Sequence, residues 1–199
     1  MGCLRNLINA VILSLAVIGF LSLGGKEYVS DIFYDYMLPA IQDVDGRASQ
    51  VADFSDINEE YQIEQAVALM GFNGVLAEHK SSGQKMVIAE SGFANIITAE
   101  DIQSENAAEK IKQATDKIKL KVASIEKVDV TGRGEMQVMG QNVPYLIIDT
   151  EIKGLPIKNL SGIIGVVQDE NNKSKILISL NENGKYSQII TNDFFNKIK

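Results

Sequence analysis

The sequence predicts an α+β fold: a domain with an antiparallel β-sheet, preceded by an N-terminal transmembrane helix. Three observations carry this. Residues 6–25 contain no charge. A single clear amphipathic stripe at helical spacing lies mid-chain, at Ala107, Ile111, Ala114 and Ile118. After it the apolar residues recur with a period of two, in short runs broken by turn residues. Strands that follow one another, rather than alternating with helices, favour an antiparallel sheet.

The uncharged run is long enough to matter. Twenty residues at helical rise span roughly 30 Å, the thickness of a bilayer's hydrocarbon core. Arg5 and the amine precede it, and Lys26 follows with Glu27, Asp31 and Asp35. That balance places the N-terminus in the cytoplasm and the C-terminal domain outside it. The chain then divides into a transmembrane signal-anchor at 1–25, a juxtamembrane helix and linker at 26–52, and a globular α+β domain at 53–199. A cleaved signal is the rival reading of the first segment, with Ser22-Leu23-Gly24 as small-residue cleavage positions. Cys3, the one cysteine, falls at the cytoplasmic edge of the helix, where S-acylation can occur.

In the connector, Tyr28, Ile32, Phe33, Tyr36 and Met37 fit a short helix that ends near Pro39. Asp43 to Ser49 then reads as a polar linker. Its Asp43-x-Asp45 pair lacks the further acidic ligands of a calcium loop. Residues from Tyr61 to Met70 suggest a helix closed by Gly71, with a strand over Tyr61 to Leu69 as the alternative. Gly74–Lys80 and Lys85–Glu90 form a hairpin around Gly83. Thr98 caps a helix expected to run to about Leu120, with Glu100 and Asp101 in its first turn.

Beyond that helix, a four- to five-strand meander is expected. Its turns are placed at Thr131-Gly132-Arg133-Gly134, at Gly140-Gln141-Asn142 and at Asp169 to Asn172. Asn183-Gly184 is the strongest hairpin signal, with Lys185 to Ile190 pairing back. A short C-terminal helix carries Phe194, Phe195 and Ile198, and one or two helices are expected to cover a single face of the sheet. This order of hairpin, helix, meander and short helix resembles that of PsbP/Mog1-like domains. The likeness is one of element order, with no motif residues behind it, and it implies a fold without a function.

Composition narrows the chemistry. One Cys and one His among 199 residues exclude a disulfide within the chain and any metal site built on several Cys or His side chains. No cofactor loop is present: Thr131 to Glu135 lacks the length and the Lys-Ser/Thr ending of a phosphate loop. A formal charge of −7 disfavours nucleic-acid binding. That charge is uneven. Residues 27–109 hold sixteen Asp/Glu against three Lys/Arg, whereas residues 110–199 hold ten against fourteen. Such polarity favours a protein partner, since the acidic connector opposes docking on anionic headgroups.

The expected function is that of a non-catalytic binding, sensing or assembly module of the cell envelope, tied to the membrane by its N-terminal helix. Tyr145, His79 and Arg133 are the candidate binding residues. The alternative is an envelope hydrolase using His79 with a nearby Ser or carboxylate. Ser81, Ser82 and Ser91 are the serines closest in sequence. His79 alternates with Glu78 and Lys80 on a strand, so the three cannot line one site. Asp129, Glu135, Asp149 and Glu151 lie on neighbouring strands and are expected on a solvated face. Asn159-Leu160-Ser161 and Asn172-Lys173-Ser174 match the N-glycosylation pattern.

Overall fold

The computed structural model describes residues 44–69, 72–91, 97–116, 124–153, 159–168 and 174–199. The expected transmembrane segment and most of the connector lie outside these residues. Among the described residues no helix is long and apolar enough to cross a membrane.

The described chain forms a seven-stranded sheet with every neighbouring pair antiparallel. The strands are β1 (Tyr61–Leu69), β2 (Phe72–His79), β3 (Gln84–Ser91), β4 (Ser124–Val138), β5 (Gln141–Lys153), β6 (Asn159–Gln168) and β7 (Ser174–Glu182). Their spatial order is β1-β2-β3-β7-β6-β5-β4. The sheet is thus two meanders joined where β7 pairs with β3. Four helices accompany it: α1 (Val44–Ala48), α2 (Ala99–Gln103), α3 (Ala107–Asp116) and α4 (Gln188–Asn196).

Helices cover both faces, not one as the sequence suggested. On the first face, Ile102, Ala107 and Ile111 of α2 and α3 pack on Leu146, Ile148, Ile164 and Ile178. On the second, Phe194, Phe195 and Ile198 of α4 and its tail pack with Met86, Ile88, Ile163 and Leu177. α1 joins that layer through Ala48, followed by Val51 and Ala52. Because both faces are covered, the central strands β6 and β7 are buried nearly end to end. Their almost unbroken apolar runs follow from that position. Each fully buried Phe or Ile stabilises the fold by about 1.5–3 kcal/mol.

Local differences from the sequence reading have identifiable causes. The segment from Tyr61 is strand β1, the alternative reading; it gains a ladder with β2 that a surface helix would forgo. Val44–Ala48, expected as linker, is a helical turn that buries Ala48. The long helix is two, interrupted at residues 104–106, where the Ser104 N–H and Oγ–H both donate to the Asp101 carbonyl. Its start is as expected: Thr98 and Asp101 form a reciprocal capping box.

Thr131 to Gly134 is no turn; β4 runs straight through it with a bulge between Val130 and Gly132. The glycines serve packing instead. A Cβ on Gly134 would sit 2.5 Å from the Tyr145 hydroxyl, and one on Gly132 3.0 Å from Ile147. The real β4–β5 turn is Met139-Gly140, both at positive φ, the geometry that matches a hairpin's twist. Asn183-Gly184 does turn the chain, with Gly184 at φ +83°. The returning chain is α4 rather than a strand, because Ser187 caps it by accepting from the Ile190 N–H.

Candidate functional site

Register places a row of polar side chains across the second face at one end of the sheet. Tyr61 pairs with His79 and His79 with Gln84. Asn181 pairs with Ser161, Ser161 with Asp149, and Asp149 with Asp129. Gln84 and Asn181 lie one step beyond the last registered pair of β3 and β7, so the row runs from β1 to β4. Cross-strand partners share a face, which puts all seven side chains on the side of α4.

Gln84 is the hub. It is fully buried, and its Nε2 lies 2.9 Å from Ser179 Oγ, 2.9 Å from Thr191 Oγ1 and 3.0 Å from the Ser187 carbonyl. Two amide hydrogens thus serve three acceptors. Its Oε1 accepts from the Ser187 N–H at 2.8 Å. Ser187 is the N-cap of α4, so one side chain of β3 holds both backbone groups of that cap. Thr191 Oγ1 meets Ser179 Oγ at 2.8 Å and Tyr186 Oη at 3.0 Å. Burial pushes the Tyr186 phenol up to about 12.

His79 is buried, with its ring 5.2 Å from that of Tyr61. Its Nδ1 shares a hydrogen bond with Ser82 Oγ at 2.9 Å, and Ser81 Oγ lies 3.4 Å away. Ser82 Oγ also accepts from the Gln84 N–H, which leaves its own proton for Nδ1. The serine contact is therefore internal to the β2–β3 turn. In a Ser-His-carboxylate relay the acid orients one ring nitrogen and the serine uses the other. Here turn hydroxyls occupy Nδ1. The nearby carboxylate, Asp193, accepts instead from Tyr61 Oη at 2.9 Å and from Lys197. Burial and the Asp193 bond raise the Tyr61 phenol above its usual range. Burial would raise Asp193 too, but the Lys197 and Tyr61 bonds outweigh it and hold the carboxyl below the usual aspartate value.

The other two sequence candidates lie apart from His79. Arg133 projects from β4 to the first face, where its guanidinium donates to the Ile102 and Ser104 carbonyls at 2.9 and 2.6 Å. It thereby satisfies carbonyls left open at the end of α2. Tyr145 is buried on the second face, opposite Gly134 on one neighbouring strand and Gly165 on the other. The ring fills the space above Gly134 that a side chain would need. Asp149, expected in solvent, is half-buried and accepts from Ser161 Oγ at 2.6 Å.

The charge asymmetry of the sequence is partly cancelled by the fold. Lys110 pairs with Asp101, Lys175 with Glu90 and Lys199 with Asp56, each joining the basic half to the acidic half. Lys85, 5 % exposed, lies between Glu64 and Glu78 on the first face. Burial and the adjacent Glu78 raise the Glu64 carboxyl above its usual value.

A surface groove of about 500 Å3 opens elsewhere, beside α1 and the start of β1. Phe54, Ile57 and Ile63 supply apolar lining, with Asp45, Asp53 and Gln62 among the polar groups. Sequence reasoning passed over this region because Asp53 to Glu60 carries no motif. It also missed Gln84 and Ser179, while Thr191 reads from the sequence as a cap of the last helix, a place that Ser187 holds instead. A Ser and an Asn inside the run Ile176 to Asn181 were the available signal.

No protein-family model matches the chain, and no curated protein matches it. Among solved structures, the chain is similar in outline to the solution structure of cyanobacterial PsbP (CyanoP) from Synechocystis sp. PCC 6803. The two share 9% sequence identity at a TM-score of 0.35, over 74% of this chain and 89% of that one. A likeness of that degree transfers no activity.

Proposed function

We propose that this chain is a membrane-tethered, non-catalytic binding module whose α+β domain lies outside the cytoplasm and meets a protein partner. One observation carries the non-catalytic part. The polar side chains that a reaction centre would use are engaged in fastening α4 and its neighbouring turn to the sheet. Gln84 holds the cap of α4, Asp193 holds Tyr61, and His79 Nδ1 is bound within its own turn. Among the described residues every buried side-chain nitrogen and oxygen has a hydrogen-bond partner. A site awaiting a substrate more often keeps such a group in reserve.

The tether rests on the uncharged run at residues 6–25, and the orientation on Arg5 ahead of it. The hydrolase alternative has Ser82 beside His79, but the hydroxyl is turned inward to Nδ1 and accepts from Gln84, so that contact does not support it.

Three measurements test the reading. Protease added to intact cells is expected to remove a tag placed beyond Lys199; full protection would overturn the orientation. Photo-crosslinkers at exposed positions of the full chain in its native membrane are expected to yield adducts with one partner protein. Ester or peptide hydrolysis by the purified chain that is abolished in His79→Gln would overturn the non-catalytic reading.

A further inference from the structure

We propose that the groove beside β1 is the contact site of this module, and that it takes an extended peptide carrying Lys or Arg next to an aliphatic side chain. This rests on the binding-module reading and names the partner's chemistry.

The argument begins with the sheet edge. Among the described residues β1 has a strand, β2, on one side only. The Lys80 N–H donates to the Glu60 carbonyl, which sets the phase of the ladder. Gln62 opposite Glu78 is then a hydrogen-bonded pair, and Ile63 opposite Ala77 is not. The N–H and C=O of Ile63 therefore point away from β2, towards the open edge. The register shift between Ile63 and Gln65 ends this stretch. A bulge limits pairing to a short segment, so an added strand would engage about three residues.

Side chains beside that edge define what fits. Phe54, Ile57 and Ile63 offer an apolar surface in a groove of about 500 Å3, room for one or two side chains. Asp45 and Asp53 contribute two carboxylates, and among the described residues no Lys or Arg lines it. The Ser55 backbone N–H donates to Asp53 at 2.8 Å, which keeps this exposed carboxyl below its usual value and charged. The nearby Lys199 ammonium is engaged by Asp56.

The charge pattern selects the occupant. The chain's own connector, residues 26–43, carries Glu27, Asp31, Asp35 and Asp43 against Lys26. An acidic groove repels that segment and attracts a cationic one.

The test uses the full chain in a non-ionic detergent, with a fluorescein-labelled Lys-Leu-Lys-Leu-Lys peptide as probe and Glu-Leu-Glu-Leu-Glu as control. Saturable binding of the cationic peptide alone is expected, weakening with salt. Asp45→Asn combined with Asp53→Asn should weaken it about fivefold, the effect of losing two exposed ion pairs. Asp45→Asn alone, checked for fold by circular dichroism, should give part of that loss. Bound peptide should also slow hydrogen exchange at the Ile63 amide. Equal binding of both peptides, no effect of the substitutions, or unchanged Ile63 exchange would overturn the groove assignment. If crosslinks to a partner then arise from other surfaces, the binding-module reading survives. If no partner crosslinks at all, both fall.

Discussion

The two faces of the sheet are covered by helices in different ways. On the first face α2 and α3 rest on aliphatic side chains, with Arg133 clipping the end of α2 from the side. On the second, α4 combines an aromatic core with a buried polar network that reaches its N-cap and its first turn. Apolar contact is non-directional, so the first face rewards volume and tolerates small shifts. Hydrogen bonds are directional, and a mispaired buried group costs about 1–3 kcal/mol. The second face therefore specifies where α4 sits as well as that it sits. Residues that resemble a reaction centre in sequence are found there because positioning, like catalysis, needs polar atoms at fixed places.

The most severe way to break this arrangement is between the central strands β6 and β7. A Cβ on Gly162 would lie 1.9 Å from the Ser179 carbonyl oxygen and 2.6 Å from Leu180. Gly162→Ala should cost about 4 kcal/mol or more, read as loss of a cooperative thermal transition. It should disturb both faces at once, since β6 and β7 carry both.

Next comes the hub of the second face. Gln84→Leu leaves the Ser187 N–H without its partner and takes a donor from the Ser179 and Thr191 hydroxyls, at an expected cost of about 2–3 kcal/mol in chemical denaturation. Exchange of amides in α4 should accelerate while α2 and α3 are spared. If α4 protection is unchanged, the network does not position that helix. Arg133→Ala is the matching cut on the first face. It should cost about 1 kcal/mol and loosen α2 alone, because the apolar contacts remain.

The smallest expected effect is a difference in sign with pH. Asp193 is held below the usual carboxylate value. Its contribution is present above the unfolded pKa and is lost as pH falls through the folded one, so it weakens the fold at the acid end. Glu64 is raised instead. Its contribution is present below the unfolded pKa and is lost as pH rises through the folded one. Melting temperatures followed from neutral pH downward should show a shallower acid limb for Asp193→Asn. Glu64→Gln should remove a slight gain on mild acidification. Identical profiles for both variants and the parent would show that neither face is linked to protons through these groups.

Much of this fold is legible in the sequence. The β2–β3 and β6–β7 hairpins, strand β5, the Thr98 cap and the burial of Phe194, Phe195 and Ile198 follow from period, capping chemistry and turn residues. What eludes a single sequence is glycine used for packing across strands. Gly132 and Gly134 look like a turn, and only register with Ile147 and Tyr145 shows that they make room for neighbours. Likewise Gln84 follows Gly83 and reads as part of a turn, although it faces inward. Its role needs α4, about a hundred residues later, to be in place. The site is less legible than the fold. His79 was visible because it is the one histidine. The groove was not, because its lining is ordinary residues brought together by α1 and the edge of β1.

The pairing at Asp53 and Lys199 has a mechanical consequence. Each backbone N–H of this pair donates to the other's carbonyl, at 2.8 and 3.1 Å, and Lys199 also binds Asp56. The chain at Lys199 is thus stitched beside the place where the N-terminal segment enters the domain. Tension between that segment and a handle fixed after Lys199 would load this two-bond stitch together with the packing of Ala48, Val51 and Ala52, before the strands feel the pull. Because Asp53 also lines the groove, such a pull would distort the proposed peptide site while leaving the sheet whole.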